Sequence, residues 1–390
     1  MPPHRFVATV AGGAEEALRG ELASFGIHAR AGVGAVLFSG SLEDGLRVCL
    51  WSRIASRVLL ELAYFPVRSA DELFRSVKRL PWHEHLGPDQ TIAVDFLGRS
   101  GIIRDARFGA LTTKDGIVDR LRAETGRRPD VDVRQPDIRI NVHLHDHHAT
   151  VALDLSGEPL HQRGLGRVTG PAPLRETLAA SLLWLTGWPQ RQGPLLDPMC
   201  GSATFLSEAA GWAARLAPGL HRERWGFTAW KGHDPALWRA LVQEARAQRR
   251  PPPAAPLLRG LDRAESAVSA ARGNLARYEL AGWVGLGVQR LEDLEVQGAP
   301  GTMITNPPYG ARLGEVDQLY VLYATLGDVM RRRLLGWGCW VFCGEPALAK
   351  KIGLRAGARL AMYNGPIDCR LLHYPISETA PQGPRRERGN

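Results

Sequence analysis

The chain has 390 residues, 44% hydrophobic and 23% charged, which is enough apolar mass for two or three buried cores and too much for a disordered tail. Lysine and arginine number 49 against 40 acids, a net charge of +9 that favours a polyanionic partner. No run approaches about eighteen uninterrupted apolar residues and no basic-then-apolar leader opens the chain, so a membrane-spanning helix and a signal peptide are excluded and a cytoplasmic protein is expected.

The opening segment reads as a strand over 5–10, a glycine break at Gly12-Gly13, and a helix from Glu15 to Phe25 with Ala17, Leu18, Leu22 and Phe25 at helical spacing. A strand over 33–39 and a helix over 42–50 complete a small α+β unit, similar to half of a ferredoxin-like domain. A second unit is predicted from strands at 59–65 and 91–96, helices at 70–77 and 108–124, and alternating strands at 138–144 and 150–155. Residues 156–174 are rich in Gly, Pro and Arg, a density that stops regular structure and marks a boundary. After it come an apolar helix over 176–185, a short buried strand over 194–197, a glycine turn and an Ala-rich helix over 203–214. Strand, turn and helix recur at 257–262 with 265–278, a strand follows at 301–305, and the chain closes through a helix at 319–334 and strands at 339–343, 358–363 and 369–374. Alternating βα units predict a doubly wound, mostly parallel sheet with an antiparallel pair at its end. The tail over 381–390 is Pro, Arg and Gly and is expected to fray.

Three strand-end motifs carry chemistry. Leu196-Asp-Pro-Met-Cys-Gly-Ser-Ala-Thr204 puts an acid at the end of a buried strand and a glycine in the turn that follows, where ligands bind in open parallel sheets. Arg259-Gly-Leu-Asp262 repeats the acid, which suits either a ribose diol or the cap of the next helix. Thr302-Met-Ile-Thr-Asn-Pro-Pro-Tyr309 runs a strand straight into two prolines, which fix the backbone and remove two N–H groups. The carbonyls of Asn306 and Pro307 and the Asn306 amide oxygen are then free to accept, and Tyr309 offers a flat face for a base. An exocyclic amine on a nucleobase needs such acceptors, because its lone pair is delocalised into the ring until methyl transfer begins.

In this order, Asp197-Pro-Met-Cys-Gly-Ser, Asp262 and Asn306-Pro-Pro-Tyr309 resemble the class I S-adenosylmethionine-dependent methyltransferases acting on amino nitrogens. Further segments narrow the resemblance: Asp154-Leu-Ser-Gly, His161-Gln-Arg-Gly164, Pro173-Leu-Arg-Glu-Thr-Leu-Ala-Ala180, the stretch from Ala217 to Phe227, and Asn364-Gly-Pro-Ile-Asp-Cys369. Together they are similar to the THUMP-containing bacterial methyltransferases of guanine N2 in 23S ribosomal RNA, over about residues 5–376. The resemblance implies an α/β chain with a ferredoxin-like part at 1–57, a THUMP RNA-binding domain at 58–157, a linker at 158–174 and a Rossmann-like methyltransferase domain at 175–380. It implies S-adenosylmethionine as cofactor, held by Asp197, Met199, Cys200, Gly201, Thr204, Asp262, Asp293 and Asn306, with Asn306, Pro307, Pro308 and Tyr309 lining the target-base pocket. Arg175, Glu176 and Thr177 match a segment that borders the cofactor. It also implies that a second methyltransferase, fused at the C-terminus in this branch, is absent. The expected partner is RNA, 23S first and transfer RNA second, with no membrane, no obligate metal and a monomer or weak oligomer.

Two departures stand out. Ala203 replaces a glycine in the cofactor turn, adding a methyl group beside the expected cofactor, and Arg290 falls where an acid sits beside the adenine, a place Glu292 or Asp293 could take through a shifted turn. They motivate an alternative, an RNA-binding assembly factor with little transfer activity. The adenine-N6 and glutamine-N5 methyltransferases share the Asn-Pro-Pro-Tyr box, but the RNA-binding half and the branch motifs argue against both. His143, His145, His147 and His148 suggest a metal, yet His147-His148 are expected in a solvated hairpin turn. Cys200, Cys339 and Cys343 are read as packing, and Trp225, Trp230 and Trp238 as core or lid, with RNA stacking the alternative. Ten cations against seven acids over 99–139 are compatible with phosphate contacts or a solvated face.

Overall fold

The computed structural model describes residues 3–98, 101–168, 174–309 and 316–377, and the 381–390 tail lies outside them. The chain begins β1 (His4–Thr9), α1 (Glu15–Ser24), β2 (Ala29–Ala31), β3 (Ala35–Gly40), α2 (Leu42–Trp51) and β4 (Arg57–Pro66). Ser41 starts α2 with a capping box, its hydroxyl accepting from Asp44 N–H while the Asp44 carboxylate accepts from Ser41 N–H. It continues α3 (Ala70–Lys78), β5 (Thr91–Leu97), α4 (Ala106–Thr125), β6 (Asp130–Val131), β7 (Ile138–His145) and β8 (His148–Asp154). These strands form one eight-stranded sheet in the order β2-β3-β1-β4-β8-β7-β5-β6. The two N-terminal units expected from sequence are therefore joined, because β4 pairs with β1 on one side and β8 on the other. The β7–β8 turn is Asp146-His147, with Asp146 in the left-handed region at φ 52°. His148 is thus not in the turn as expected; it sits on β8 opposite His145. No group of three or more His, Cys, Asp or Glu among the described residues could hold a metal.

Beyond the linker lie α5 (Glu176–Leu185), α6 (Trp188–Arg191), β9 (Leu195–Asp197), α7 (Thr204–Ala213) and α8 (Pro235–Ala247). Then come β10 (Leu258–Asp262), α9 (Glu265–Arg277), β11 (Val284–Val288), β12 (Thr302–Thr305), α10 (Val316–Arg333), β13 (Gly338–Cys343), α11 (Pro346–Lys351), β14 (Ala358–Asn364) and β15 (Ile367–Pro375). The second sheet has the order β11-β10-β9-β12-β13-β15-β14, parallel through β13 and antiparallel in the closing hairpin. Its core includes Leu196, Leu261, Met303, Tyr323, Met330 and Cys339.

The stretch over 175–380 does not pack as one body. Residues 216–249 cluster with the N-terminal unit, and 166–215 with 250–390 form the second unit. The reason is in the insert's own side chains. The Arg222 guanidinium donates to the carbonyls of Ser156, Glu158, Pro159 and Gln162 at 2.6 to 3.0 Å. Trp225 and Phe227 are buried and stacked, Trp238 packs edge-on against both, and Trp230 donates to His85 at 3.1 Å. Trp225 and Trp230 are core, and Trp238 is half-buried against Trp225 and Phe227.

Candidate active site

In the second sheet the strand order reverses between β9 and β12, which places a crevice at their carboxyl ends. Asp197 ends β9, Asp262 ends β10, and Asn306 follows β12 immediately, so the three sequence motifs meet at this switch point.

Asp197 is 2% exposed, and its carboxyl accepts from Met199 N–H at 3.2 Å. Burial pushes it up to about 7, with the Asp262 carboxylate adding in the same direction and the Met199 N–H opposing. Between β9 and α7 the turn is pinned by Cys200 N–H donating to Leu261 C=O at 2.8 Å and by Gly201 N–H donating to Asp262 Oδ2 at 3.0 Å. Asp262 Oδ1 accepts from Ala264 N–H at 2.9 Å. The cap role read from sequence is not taken up, since α9 has Ala264 as its N-cap and no side-chain capping bond; Asp262 instead ties two backbone segments, and each oxygen keeps a lone pair. Cys200 is buried and its thiol is pushed up by burial, as packing rather than nucleophilic chemistry requires.

Gly201 has φ 52°, and a Cβ built there meets nothing within 4 Å, so the turn faces open space. Ala203 also has a left-handed φ of 66° but is 0% exposed. Its methyl group is packed inside rather than projecting toward that space, which removes the steric objection. Thr204, 7% exposed, starts α7, while Met199 is half-buried. The open turn, the free lone pairs of Asp262 and the buried Asp197 carboxyl fit S-adenosylmethionine. Asp293 comes from a separate segment, after β11. It is exposed at the end of a single 3-10 turn, and Arg290 beside it is 72% exposed and pairs with Glu292 at 3.4 Å.

Three supports were not legible in the sequence, nor was the role of a fourth, Asn364 in a motif already noted. Arg167, in the linker, is buried at its side chain; its guanidinium donates to Glu176 at 3.1 Å, to Ser202 Oγ at 2.9 Å and C=O at 3.2 Å, and to the Thr204 hydroxyl. Asn274 on α9 donates to Val168 C=O at 2.8 Å and Ser202 C=O at 3.1 Å and accepts from Val168 N–H at 3.0 Å. Together they stitch residues 167–168 to the cofactor turn and explain why Glu176 borders it.

The other two hold the Asn-Pro-Pro-Tyr box. Tyr323 on α10 donates to Pro308 C=O at 3.4 Å. The Tyr309 hydroxyl accepts from Asn364 Nδ2 at 3.0 Å and lies 3.9 Å from Cys369 Sγ, so the Asn364–Cys369 motif, the β14–β15 turn, orients this ring. Tyr309 is half-buried, edge-on to Phe342, and pushed up to about 12 by burial, so it stays a neutral phenol. Asn306 Oδ1 is buried with no hydrogen-bond partner. A buried amide oxygen left unpaired is costly, and an amine donor would satisfy it.

This geometry agrees with the comparisons to known proteins. A family described as "RMKL-like, methyltransferase domain" matches residues 163–373. The chain belongs to this family. Ahead of that methyltransferase domain, a THUMP domain matches residues 67–154 and an RlmL ferredoxin-like domain matches 5–59. Ribosomal RNA large subunit methyltransferase K/L of Pseudomonas paraeruginosa is 45% identical over 97% of this chain and 54% of its own length. The chain thus spans about half the length of the curated relatives it matches. Among solved structures, SMU.472, described as "a putative methyltransferase complexed with SAH", is 29% identical with TM-score 0.84, covering 97% of this chain and 100% of that one. A "possible methylase from Clostridium difficile 630" is 27% identical with TM-score 0.87, covering 98% and 100%.

Proposed function

We propose that the protein methylates the exocyclic N2 amine of a guanine in 23S ribosomal RNA, with S-adenosylmethionine as the methyl donor. The observation that carries this reading is the Asn306-Pro-Pro-Tyr309 box, set at the end of β12 with an unpartnered amide oxygen, beside the turn tied by Asp262. The ribosomal RNA assignment of the K/L relatives and the THUMP match support RNA, and large-subunit RNA within it.

S-adenosylmethionine supplies an electrophilic methyl group on a sulfonium. The chain's own part is to bind, orient and accept. Asp262, Gly201 and Asp197 hold the donor, with Met199, Cys200 and Thr204 shaping the turn around it and Asp293 on the adenine side. Tyr309 takes the face of the flipped guanine, which must leave its stack to reach the pocket. Asn306 Oδ1 and the Pro307 carbonyl accept the two N2 hydrogens and favour the pyramidal nitrogen whose lone pair attacks. With the donor bound, methyl would pass from its sulfonium to N2 and leave a neutral thioether, and the surplus N2 proton would be lost to water. The absence of a nucleophile at Cys200 is consistent with direct transfer. The test is transfer of labelled methyl to total RNA from a strain lacking the protein. Label recovered as N2-methylguanosine in 23S RNA supports the reading; label in transfer RNA or as another nucleoside overturns the substrate.

A further inference from the structure

The run Lys350-Lys-Ile-Gly-Leu-Arg-Ala-Gly-Ala-Arg359 places four cations in ten residues with no acid, and it uses two of the chain's five lysines. It forms the end of α11 and the connection into β14, and Lys350, Lys351, Arg355 and Arg359 are all exposed. None of the four pairs with a carboxylate among the described residues; Lys351 lies over the Tyr320 ring at 4.4 Å. The two nearby acids are already engaged, Glu345 in capping α11 and Asp368 in pairing with Arg370. Counting Arg370 with the four and setting Glu345 and Asp368 against them, this face keeps a net charge of +3.

Beneath this rim lies a cavity of about 400 Å³, walled by the cations Lys350 and Arg359, by the acids Glu345 and Asp368, the latter paired with Arg370, and by apolar Leu354 and Leu372. Gly344 borders the same cavity, and a Cβ added to it would come within 2.8 Å of the Tyr309 ring. The cavity thus adjoins the residue assigned to the target base, at the carboxyl end of β13. A recess with both apolar and polar walls and a cationic lip suits one nucleotide, its base and sugar inside and its phosphate on the lip.

We propose that this groove binds the RNA strand flanking the methylated guanine, with Lys350, Lys351, Arg355 and Arg359 on backbone phosphates and one flanking nucleotide in the cavity. The inference rests on the RNA-methylation reading and adds the path of the substrate. The experiment compares wild type, Lys350→Ala/Arg359→Ala, and a control pair, Arg332→Ala/Arg333→Ala, which are exposed at the end of α10 on the amino edge of the sheet. Binding of a protein-free 23S RNA transcript is measured across salt concentrations, with kcat and S-adenosylmethionine affinity alongside. Each lost phosphate contact lowers the slope of log affinity against log salt by about 0.7 to 0.9. The double variant should lose about 1.5 in slope and about tenfold in RNA affinity at low salt, with cofactor affinity and kcat at saturating RNA unchanged. The control pair should match wild type, and Lys350→Arg/Arg359→Lys should restore the slope. Wild-type slope and affinity in the double variant, with methylation intact, would overturn the groove and leave the RNA reading standing. Equal losses in the control pair would also overturn it, as diffuse attraction. A wild-type protein that neither binds nor methylates RNA would overturn both.

Discussion

Asp197→Asn isolates the electrostatic cost built into the cofactor crevice. The wild-type carboxyl is buried and raised from 3.8 to about 7, while its single backbone contact, Met199 N–H to Oδ1, is one that an amide oxygen also accepts. The folded chain holds this proton more tightly than the unfolded chain does. Stability is therefore lost as pH rises from about 4 through about 7 and stays reduced above it. At about 1.4 kcal/mol per unit, a rise of roughly three units corresponds to about 4 kcal/mol as an upper bound. Asparagine does not titrate, so the variant escapes this loss. Urea unfolding of both proteins at pH 5 and pH 8 measures the effect as a difference of differences. The variant should gain on the wild type by a few kcal/mol between the two pH values, and it should bind S-adenosylmethionine more weakly at pH 8, where the wild-type carboxylate can face the donor's positive charge. Parallel pH dependence in the two proteins would refute the assignment of a buried, protonated Asp197.

Asp262→Ala strips the partner from Gly201 N–H and Ala264 N–H, so cofactor affinity should fall at least about tenfold by calorimetric titration, with a stability loss of about 1 to 3 kcal/mol. Ala203→Gly relieves a left-handed alanine and should stabilise the protein by about 1 kcal/mol in chemical unfolding, with cofactor affinity unchanged because the methyl group is buried. Gly344→Ala drives a Cβ to 2.8 Å from Tyr309 Cε2 and 3.0 Å from Ile367 Cγ2; transfer should drop about tenfold or more under saturating cofactor, while the cofactor Kd holds.

The segments proposed for the site were legible because each is a contiguous strand end: Asp197 to Ser202, Asp262 and Asn306 to Tyr309 bring their own local geometry. The parts that hold them were not, because their partners are remote in sequence. Arg167 reaches Ser202 across 35 residues, Asn274 reaches Ser202 across 72, and Asn364 reaches Tyr309 across 55. The Asn364–Cys369 segment was visible as a motif, yet only the β14–β15 register shows that its task is to aim the tyrosine. Helical and strand periodicity placed nearly every element, but it could not show that β4 closes one continuous sheet, nor that residues 216–249 leave the methyltransferase domain's own core. That choice is made by Arg222 donating to four carbonyls, by Trp225 and Phe227 packing with Trp238, and by Trp230 docking on His85. Ala203 illustrates a different limit: a missing glycine in sequence looked like an obstruction to the cofactor, whereas its cost is a backbone one.

The central claim is that Asn306 accepts from a guanine N2 amine in 23S RNA at the transition state. The most direct measurement is nucleoside mass spectrometry of 23S RNA from a deletion strain carrying either the wild-type gene or Asn306→Ala, with cofactor Kd determined on both purified proteins. Wild type should restore N2-methylguanosine. The variant should restore little, with transfer slowed about 100- to 1,000-fold in vitro and the cofactor Kd within about twofold of wild type. Full restoration by Asn306→Ala, or a loss explained entirely by weaker cofactor binding, would contradict the account.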